Sequence, residues 1–523
     1  MAVNDADRRT DRFAWHPEPD LLGFGDRAAR PALERLGHDA WAAALDYLYD
    51  HAFVRAMGEP AGYAELRRMF FGPSGRPAPA PDEPTTADAV LDEFRTRVAP
   101  HQLNAYHPRS LSYFTPPPLA MSVVGEILTQ VTQQGVDVWH AGPLATFVEE
   151  EVVRWLCDLV GYDDSSFGLL TSGGVMANFL AMALVRDVRL AAARGMTAPP
   201  RGAALEGARV YTSDQTHFSI ARALDELGFP SETLVVLPTD DRFRLHPEPV
   251  REAIARDRAE GLLPVAVSAV AGSTNTGSVD MIESLGTLAR DEDLWFHVDA
   301  AYGAAARLSE RDAWRVPALG LADSVTVDPH KWFFQAYDIG GLVIRDGSLL
   351  QRTFGAKQPE YYRGGEGSAA AASQDDHDVP GQLNFYKLGF EGTRRSRALK
   401  LWMSWKHVGT RGFGRLVADT IDVAELLARR CAEGDDFEAL PPEPELSVVC
   451  FRHLPAGMSG GATLDDHQDR LQAALEADGD GWLSTTRLRG ATWLRAGIVN
   501  PHTTPADIDR LLSTLRRLAA ELP

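Results

Sequence analysis

Seven short apolar runs constrain this chain more than anything else in it. They are Phe167–Thr171, Ala208–Thr212, Thr233–Leu237, Pro264–Val270, Leu294–Asp299, Ser324–Val327 and Gly341–Ile344. Continuous runs of this kind, bounded by small and polar residues, mark strands buried on both faces. Helical text is read after each of them, so the pattern predicts an α/β fold built on one large, parallel or mostly parallel sheet flanked by helices. In such a sheet the carboxyl ends of the strands lie along one edge, and ligands bind there. The chemistry is therefore to be sought just beyond each run.

The flanking text divides the chain into a helical N-terminal segment (1–115), a large α/β domain (116–411) and a small α+β C-terminal domain (412–523). Residues 1–20 are polar and mixed in charge and read as a disordered start. Helical text from Leu33 to Arg97 is interrupted at Gly72–Pro84, and Pro116, Pro117 and Pro118 impose an extended crossing. Helices are expected at 144–160, from near Thr393, at 418–432, at 464–477 and from Pro505, and small-domain strands at 446–451 and 492–498. Gly364–Ser373, rich in Gly, Ala and Ser, reads as a mobile loop.

With 73 Asp+Glu against 52 Lys+Arg the formal charge is −21, and no basic stripe offsets it, which argues against nucleic acid as a partner. No apolar stretch approaches a membrane span, and the first twenty residues lack the apolar region of a secretory signal. Cys157, Cys431 and Cys450 are odd in number and far apart, as in a reduced intracellular protein, and show no metal-ligand spacing. A soluble cytoplasmic protein is expected. Only five of the 52 cations are lysines: Lys331, Lys357, Lys387, Lys400 and Lys406. If the chain does amine chemistry, few residues can supply the amine.

Five motifs follow the apolar runs. Asp328-Pro329-His330-Lys331-Trp332 places a lysine at the end of Ser324–Val327, where burial turns an amine into a nucleophile; alone, it also reads as a surface lysine. Thirty-two positions earlier, Asp299 ends a strand and is followed by Ala300 and Ala301, leaving room for a flat ring beside a carboxylate. Alone, Asp299 also reads as a helix N-cap. Thr171-Ser172-Gly173-Gly174 opens a helix whose first N–H groups suit a phosphate. His217, in Ser213-Asp214-Gln215-Thr216-His217, suits stacking on an aromatic ring or a plain loop position. Thr274, in Gly272–Gly277, offers a hydroxyl to an oxygen-rich ligand.

One cofactor accounts for all five. Their order resembles the fold-type I enzymes that use pyridoxal 5′-phosphate, and more narrowly the group II amino-acid decarboxylases, the family of aromatic L-amino-acid decarboxylase. The resemblance spans roughly residues 100–515. It rests on His297-Val298-Asp299-Ala300-Ala301-Tyr302 and Pro329-His330-Lys331-Trp332, with Leu494-Arg495 and Asn500–Thr504 resembling bacterial members. It implies that Lys331 forms the internal aldimine, Asp299 keeps the pyridine nitrogen protonated, and His217 stacks on the ring face opposite Ala301. Gly173, Gly174, the backbone of Val175 and His330, beside Asp328, would hold the phosphate, with Thr274 near the ring hydroxyl. Tyr361 matches the mobile-loop tyrosine that protonates the quinonoid carbon, with Tyr362 beside it. Tyr113 and Phe114 match a pair lining the substrate side, and Trp139 lies in a segment that family dimers place near the partner's site.

The implied activity is decarboxylation of an L-amino acid, aromatic side chains favoured, to the amine by a homodimer. The alternatives are an aldehyde-forming oxidative decarboxylase, another pyridoxal-dependent amino-acid transformation, or a catalytically silent relative that acts by binding. Three departures stand out: Asp328 where many relatives have asparagine, Val175 where a hydroxyl residue is common, and a longer stretch after Tyr361.

Overall fold

The computed structural model describes residues 27–59, 62–355, 382–458 and 460–522. Tyr361, Tyr362, Lys357, the stretch Gly364–Ser373 and residues 1–20 lie outside the described residues. All seven apolar runs are strands: β1 Phe167–Thr171, β2 Ala208–Ser213, β3 Leu234–Leu237, β4 Leu263–Val270, β5 Trp295–Asp299, β6 Ser324–Val327 and β7 Gly340–Ile344. They form one sheet in the order β1-β7-β6-β5-β4-β2-β3. β7 is antiparallel to both neighbours and every other pairing is parallel. Strands β5, β6 and β7 are buried along their whole length, as their unbroken apolar text requires.

A helix does not follow every strand. Residues 328–339, between β6 and β7, fold as turns. A parallel return would need a longer crossover with a helix in it, and β7 instead reverses direction. Between β5 and β6 only short 3-10 turns intervene. The residues after β5 and β6 are thus irregular backbone, free to line a site rather than committed to helices.

The chain separates into two compact units after His107. The first is helical, with helices Arg30–Asp46, Tyr63–Phe71 and Ala87–Glu93. The second carries the large sheet and a four-stranded antiparallel sheet. Its strands are β8 Phe437–Ala439, β9 Val448–His453, β10 Ser484–Leu488 and β11 Ala491–Gly497, in the order β10-β11-β9-β8. Helices Ala462–Asp478 and Pro505–Glu521 belong to the same region, the latter opened by a reciprocal cap between Thr504 and Asp507. β8 is three residues long and β10 alternates half-exposed Ser and Thr, so neither shows the apolar signature that revealed the others. One long helix, Ala398–Ala432, runs through residues 411 and 412 and departs from helical geometry at Gly409 (φ 67°, ψ 166°). Among the described residues no helix is long and apolar enough to cross a membrane.

Candidate active site

The carboxyl ends of β1, β2, β4, β5 and β6 converge on a cavity of about 380 Å³, within the range of small-molecule sites. It is lined by Gly173, Gly174, Val175, His217, Thr274, Asp299, Ala301, Asp328, His330 and Lys331, all of them sequence-selected, and by Phe114 on one wall.

Lys331 sits in the turn after β6 with its side chain one-quarter exposed, and its Nζ lies 3.2 Å from Asp328 Oδ2. The same oxygen accepts the Gly174 N–H at 3.0 Å, so the acid at 328 is met by an ammonium and a helix N-terminus. Asp328 Oδ1 is buried without a hydrogen-bond partner among the described residues and faces Gly340, where a Cβ would lie 2.6 Å from it and 2.5 Å from Gly173 Cα. Asp328 is thus sealed beneath the glycine turn.

The turn itself requires glycine. Gly173 has φ +154°, and a Cβ there would meet the His330 ring at 3.1 Å. A Cβ on Gly174 would meet Asp328 Oδ2 at 2.8 Å. The N–H of Val175, next in the helix Gly174–Leu184, has no hydrogen bond among the described residues and stands open. His330 receives the Ile339 N–H on Nδ1 at 3.2 Å, which turns its other nitrogen toward Asp328, 3.7 Å away. Burial holds the His330 imidazole below its ordinary range, against the pull of Asp328. The residues after β1 and β6 therefore make the cradle a phosphate needs: two glycines, an open N–H and a neutral imidazole.

Asp299 closes β5, 6% exposed. Its Oδ1 accepts the Ala301 N–H at 3.1 Å and its Oδ2 accepts the Asn178 amide at 2.8 Å. His217 Nδ1 is 2.8 Å from Ser219 Oγ, and burial lowers its pKa although Asp299 pulls the other way. Phe114 stacks on Tyr302 (4.2 Å, 21°), and Tyr302 on Trp332 (4.7 Å, 21°). The column is anchored by the Tyr302 hydroxyl on Ser447 and by Trp332 Nε1 donating to Thr420. A carboxylate, a flat slot and a phosphate cradle in one cavity fit pyridoxal phosphate.

The structure does not bring every selected residue here. Tyr113 is more than half exposed and packs edge-on against Trp482 (4.8 Å), outside the lining of the cavity. Trp139, in the turn Trp139–Ala141, donates its backbone N–H to Asn384 and is likewise not a lining residue. Three residues were given no role by the sequence. Asn178 is a buried polar residue in the otherwise apolar helix Gly174–Leu184, one turn in from the glycines, and that contrast was the available signal. Arg495 donates to the carbonyls of Ser112, Thr274 and Asn275 and lies 4.8 Å over Phe114, pinning two walls at once. Lys400, named above only as one of five lysines, has a side chain with no exposed surface, and burial pulls its amine down to about 7.

A lysine, a carboxylate and a phosphate cradle at the strand ends of this sheet define a pyridoxal phosphate enzyme of fold-type I. Residues 73–454 match the pyridoxal-dependent decarboxylase conserved domain. The chain is 35% identical over 416 residues to an aromatic-L-amino-acid decarboxylase of Bacillus atrophaeus, covering 80% of this chain and 82% of that protein. It is 31% identical over 524 residues to an L-2,4-diaminobutyrate decarboxylase of Rhizobium meliloti, covering 100% of this chain and 99% of that protein. Its structure superposes on that of mouse CSAD with a TM-score of 0.83 at 26% identity, over 94% of this chain and 100% of the other. The chain belongs to the pyridoxal-dependent decarboxylase family. It is an amino-acid decarboxylase whose cofactor is pyridoxal 5′-phosphate.

Proposed function

We propose that the enzyme removes the α-carboxylate of an L-amino acid with an aromatic side chain and releases the amine. The pocket wall carries this reading. Phe114 and Tyr302 form a stacked flat surface, and Phe218 adds a third ring to the lining. The only carboxylates among the described lining residues are Asp299 and Asp328, both engaged, and no arginine lines the cavity. Among the described lining residues a distal carboxylate on the substrate meets no arginine, whereas an aromatic ring meets its like.

Pyridoxal phosphate, when bound, supplies a sink for the electron pair left on the α-carbon as CO2 departs. Lys331 would provide the amine that holds the cofactor and, when free, a base beside the α-carbon. Asp299 would hold the proton at the ring nitrogen. His217 and Ala301 would flank the ring, Thr274 would meet its hydroxyl, and Gly173, Gly174, the Val175 N–H and His330 would hold the phosphate. Phe114 excludes water from the reacting carbon. Tyr361 returns the proton to the α-carbon. A homodimer is supported by the apolar side chains exposed on Ala120–Thr132 and at the start of Pro143–Val160: Val124, Ile127, Leu128, Val131, Leu144 and Phe147.

A second reading, decarboxylation of a short diamino acid, is favoured by the whole-length match to the Rhizobium enzyme. The deciding experiment is a panel of aromatic, diamino and acidic L-amino acids scored for CO2, amine, aldehyde and hydrogen peroxide. An aromatic substrate is expected to give the highest kcat/KM with amine as product; a higher value for 2,4-diaminobutyrate overturns the preference. Tyr361→Phe is expected to suppress amine release and let aldehyde appear. Unchanged amine output would move the proton donor to Tyr362.

A further inference from the structure

Behind Asp299 and His217 lies a buried chain of polar side chains that the mechanism above does not use. Asn178, 1% exposed, is its hub. Its amide nitrogen donates to Asp299 Oδ2 and to Ser219 Oγ, each at 2.8 Å. Its amide oxygen accepts from His297 Nε2 at 3.0 Å and from Thr326 Oγ1 at 2.6 Å. All four hydrogen-bonding positions of the side chain are therefore occupied.

The direction of every bond in this chain follows from one end. A carboxylate only accepts, so the Asn178 nitrogen must face Asp299 and its oxygen must face away. The second amide hydrogen goes to Ser219 Oγ, and because the backbone N–H of Ser219 can only donate to His217 Nδ1, that nitrogen is an acceptor and takes the Ser219 hydroxyl as well, 2.8 Å away. The backbone N–H of Ser219 points at the same nitrogen, at 3.3 Å. Two donors on Nδ1 leave the His217 proton only one place, Nε2. On the other side the Asn178 oxygen needs a proton on His297 Nε2, and His297 Nδ1 takes the Ser324 hydroxyl at 2.9 Å, itself supplied by Trp295 Nε1.

We propose that Asn178 is a positioning residue that joins Asp299 and His217 into one hydrogen-bonded unit, so that a single amide both aims the carboxylate and holds the His217 proton on Nε2. This rests on the reading that Asp299 and His217 flank the cofactor. The charged groups facing His217 are Asp299, Lys331, Asp328 and Arg222. Donors on Nδ1 favour the neutral ring, so weakening them raises the pH at which His217 takes a second proton.

The test uses the holoenzyme and two variants. Asn178→Asp keeps the shape but loses the amide donors, and Ser219→Ala removes the hydroxyl alone. Exchange of imidazole Cε1 hydrogens for deuterium, read residue by residue by peptide mass spectrometry across pH, gives the titration midpoint of each histidine. Both variants are expected to raise the His217 midpoint and leave that of His330 in place. His330 is capped instead by the Ile339 N–H and faces Asp328, Lys331, Asp338 and Lys400, so it reports any general loosening of the pocket. Asn178→Asp alone is expected to weaken cofactor binding about tenfold, the worth of one buried hydrogen bond to a charged group. An unmoved His217 midpoint in folded, cofactor-loaded variants overturns the inference, as does an equal rise at His330. If Asn178→Asp does not fold, Ser219→Ala decides the histidine arm. Wild-type protein that binds no cofactor would overturn the underlying reading instead.

Discussion

Replacing Lys400 with methionine should remove a pH dependence that the wild-type protein cannot avoid. The side chain is fully buried, with Nζ 2.9 Å from Glu126 Oε2, and burial and the nearby Arg395 pull the amine down to about 7. Asp338 acts in the opposite sense and Arg397 in the same sense as Arg395. In the unfolded chain the amine titrates near its ordinary value of about 10.4. Between these two values the unfolded state binds a proton that the native state does not, so stability rises with pH by up to about 1.4 kcal/mol per pH unit. The destabilisation is complete below about pH 7 and gone above about 10.4. From pH 7.5 to 9.5 the gain is about 3 kcal/mol.

An unfolding entropy of about 2.1 cal/mol/K per residue, over the unit Pro108–Pro523, makes 1 kcal/mol worth roughly 1 °C. Methionine keeps the apolar stem, and Glu126 keeps Arg395 as a partner. The assay is thermal unfolding of cofactor-saturated wild type and Lys400→Met at pH 7.5, 8.5 and 9.5, at one scan rate. Groups that do not feel Lys400 cancel in the difference. Wild-type Tm minus variant Tm should grow by roughly 3 °C across that window. A flat difference would refute the reasoning: it would mean that Glu126 keeps the amine charged in the native protein and that pairing, not burial, decides its state.

Lys331→Ala should abolish the visible absorbance of the lysine-bound cofactor while leaving the far-ultraviolet circular dichroism intact; an unchanged visible spectrum removes Lys331 from the chemistry. Gly340→Ala forces a Cβ against Gly173 Cα and Asp328 Oδ1, and should weaken cofactor binding at least tenfold in a fluorescence titration. Wild-type affinity there would show that the glycine turn yields. Glu149→Gln leaves the buried Arg394 guanidinium without the carboxylate that now meets it at 2.6 Å. The cost should be about 3 kcal/mol, read as a fall of roughly 3 °C in Tm, because the carbonyls of Val136 and Leu170 still accept from the arginine.

What could be read from the sequence and what could not divide along a physical line. Strands buried on both faces announce themselves locally, which is why the bounds of β1 and β6 were legible to the residue. The residues that end those strands were legible too, because Gly173, Asp299 and Lys331 are each unusual where they stand. Pairings across the fold left no such trace. Asn178 meets Asp299 across 121 positions and His297 across 119, and nothing in Val175–Leu184 says which buried groups its one polar side chain will serve. The lysine count shows the limit best. Scarcity and strand context singled out Lys331, yet of the two the more deeply buried is Lys400. Its place in the helix Ala398–Ala432 is covered by Ala120–Thr132, whose Gly125 lets the two backbones approach so closely that a Cβ there would lie 2.6 Å from Lys400 Cα. A glycine on one helix thus buries a lysine on another. Local pattern picks out the lysine that stands at a strand end, whereas tertiary packing decides which amine gives up its charge.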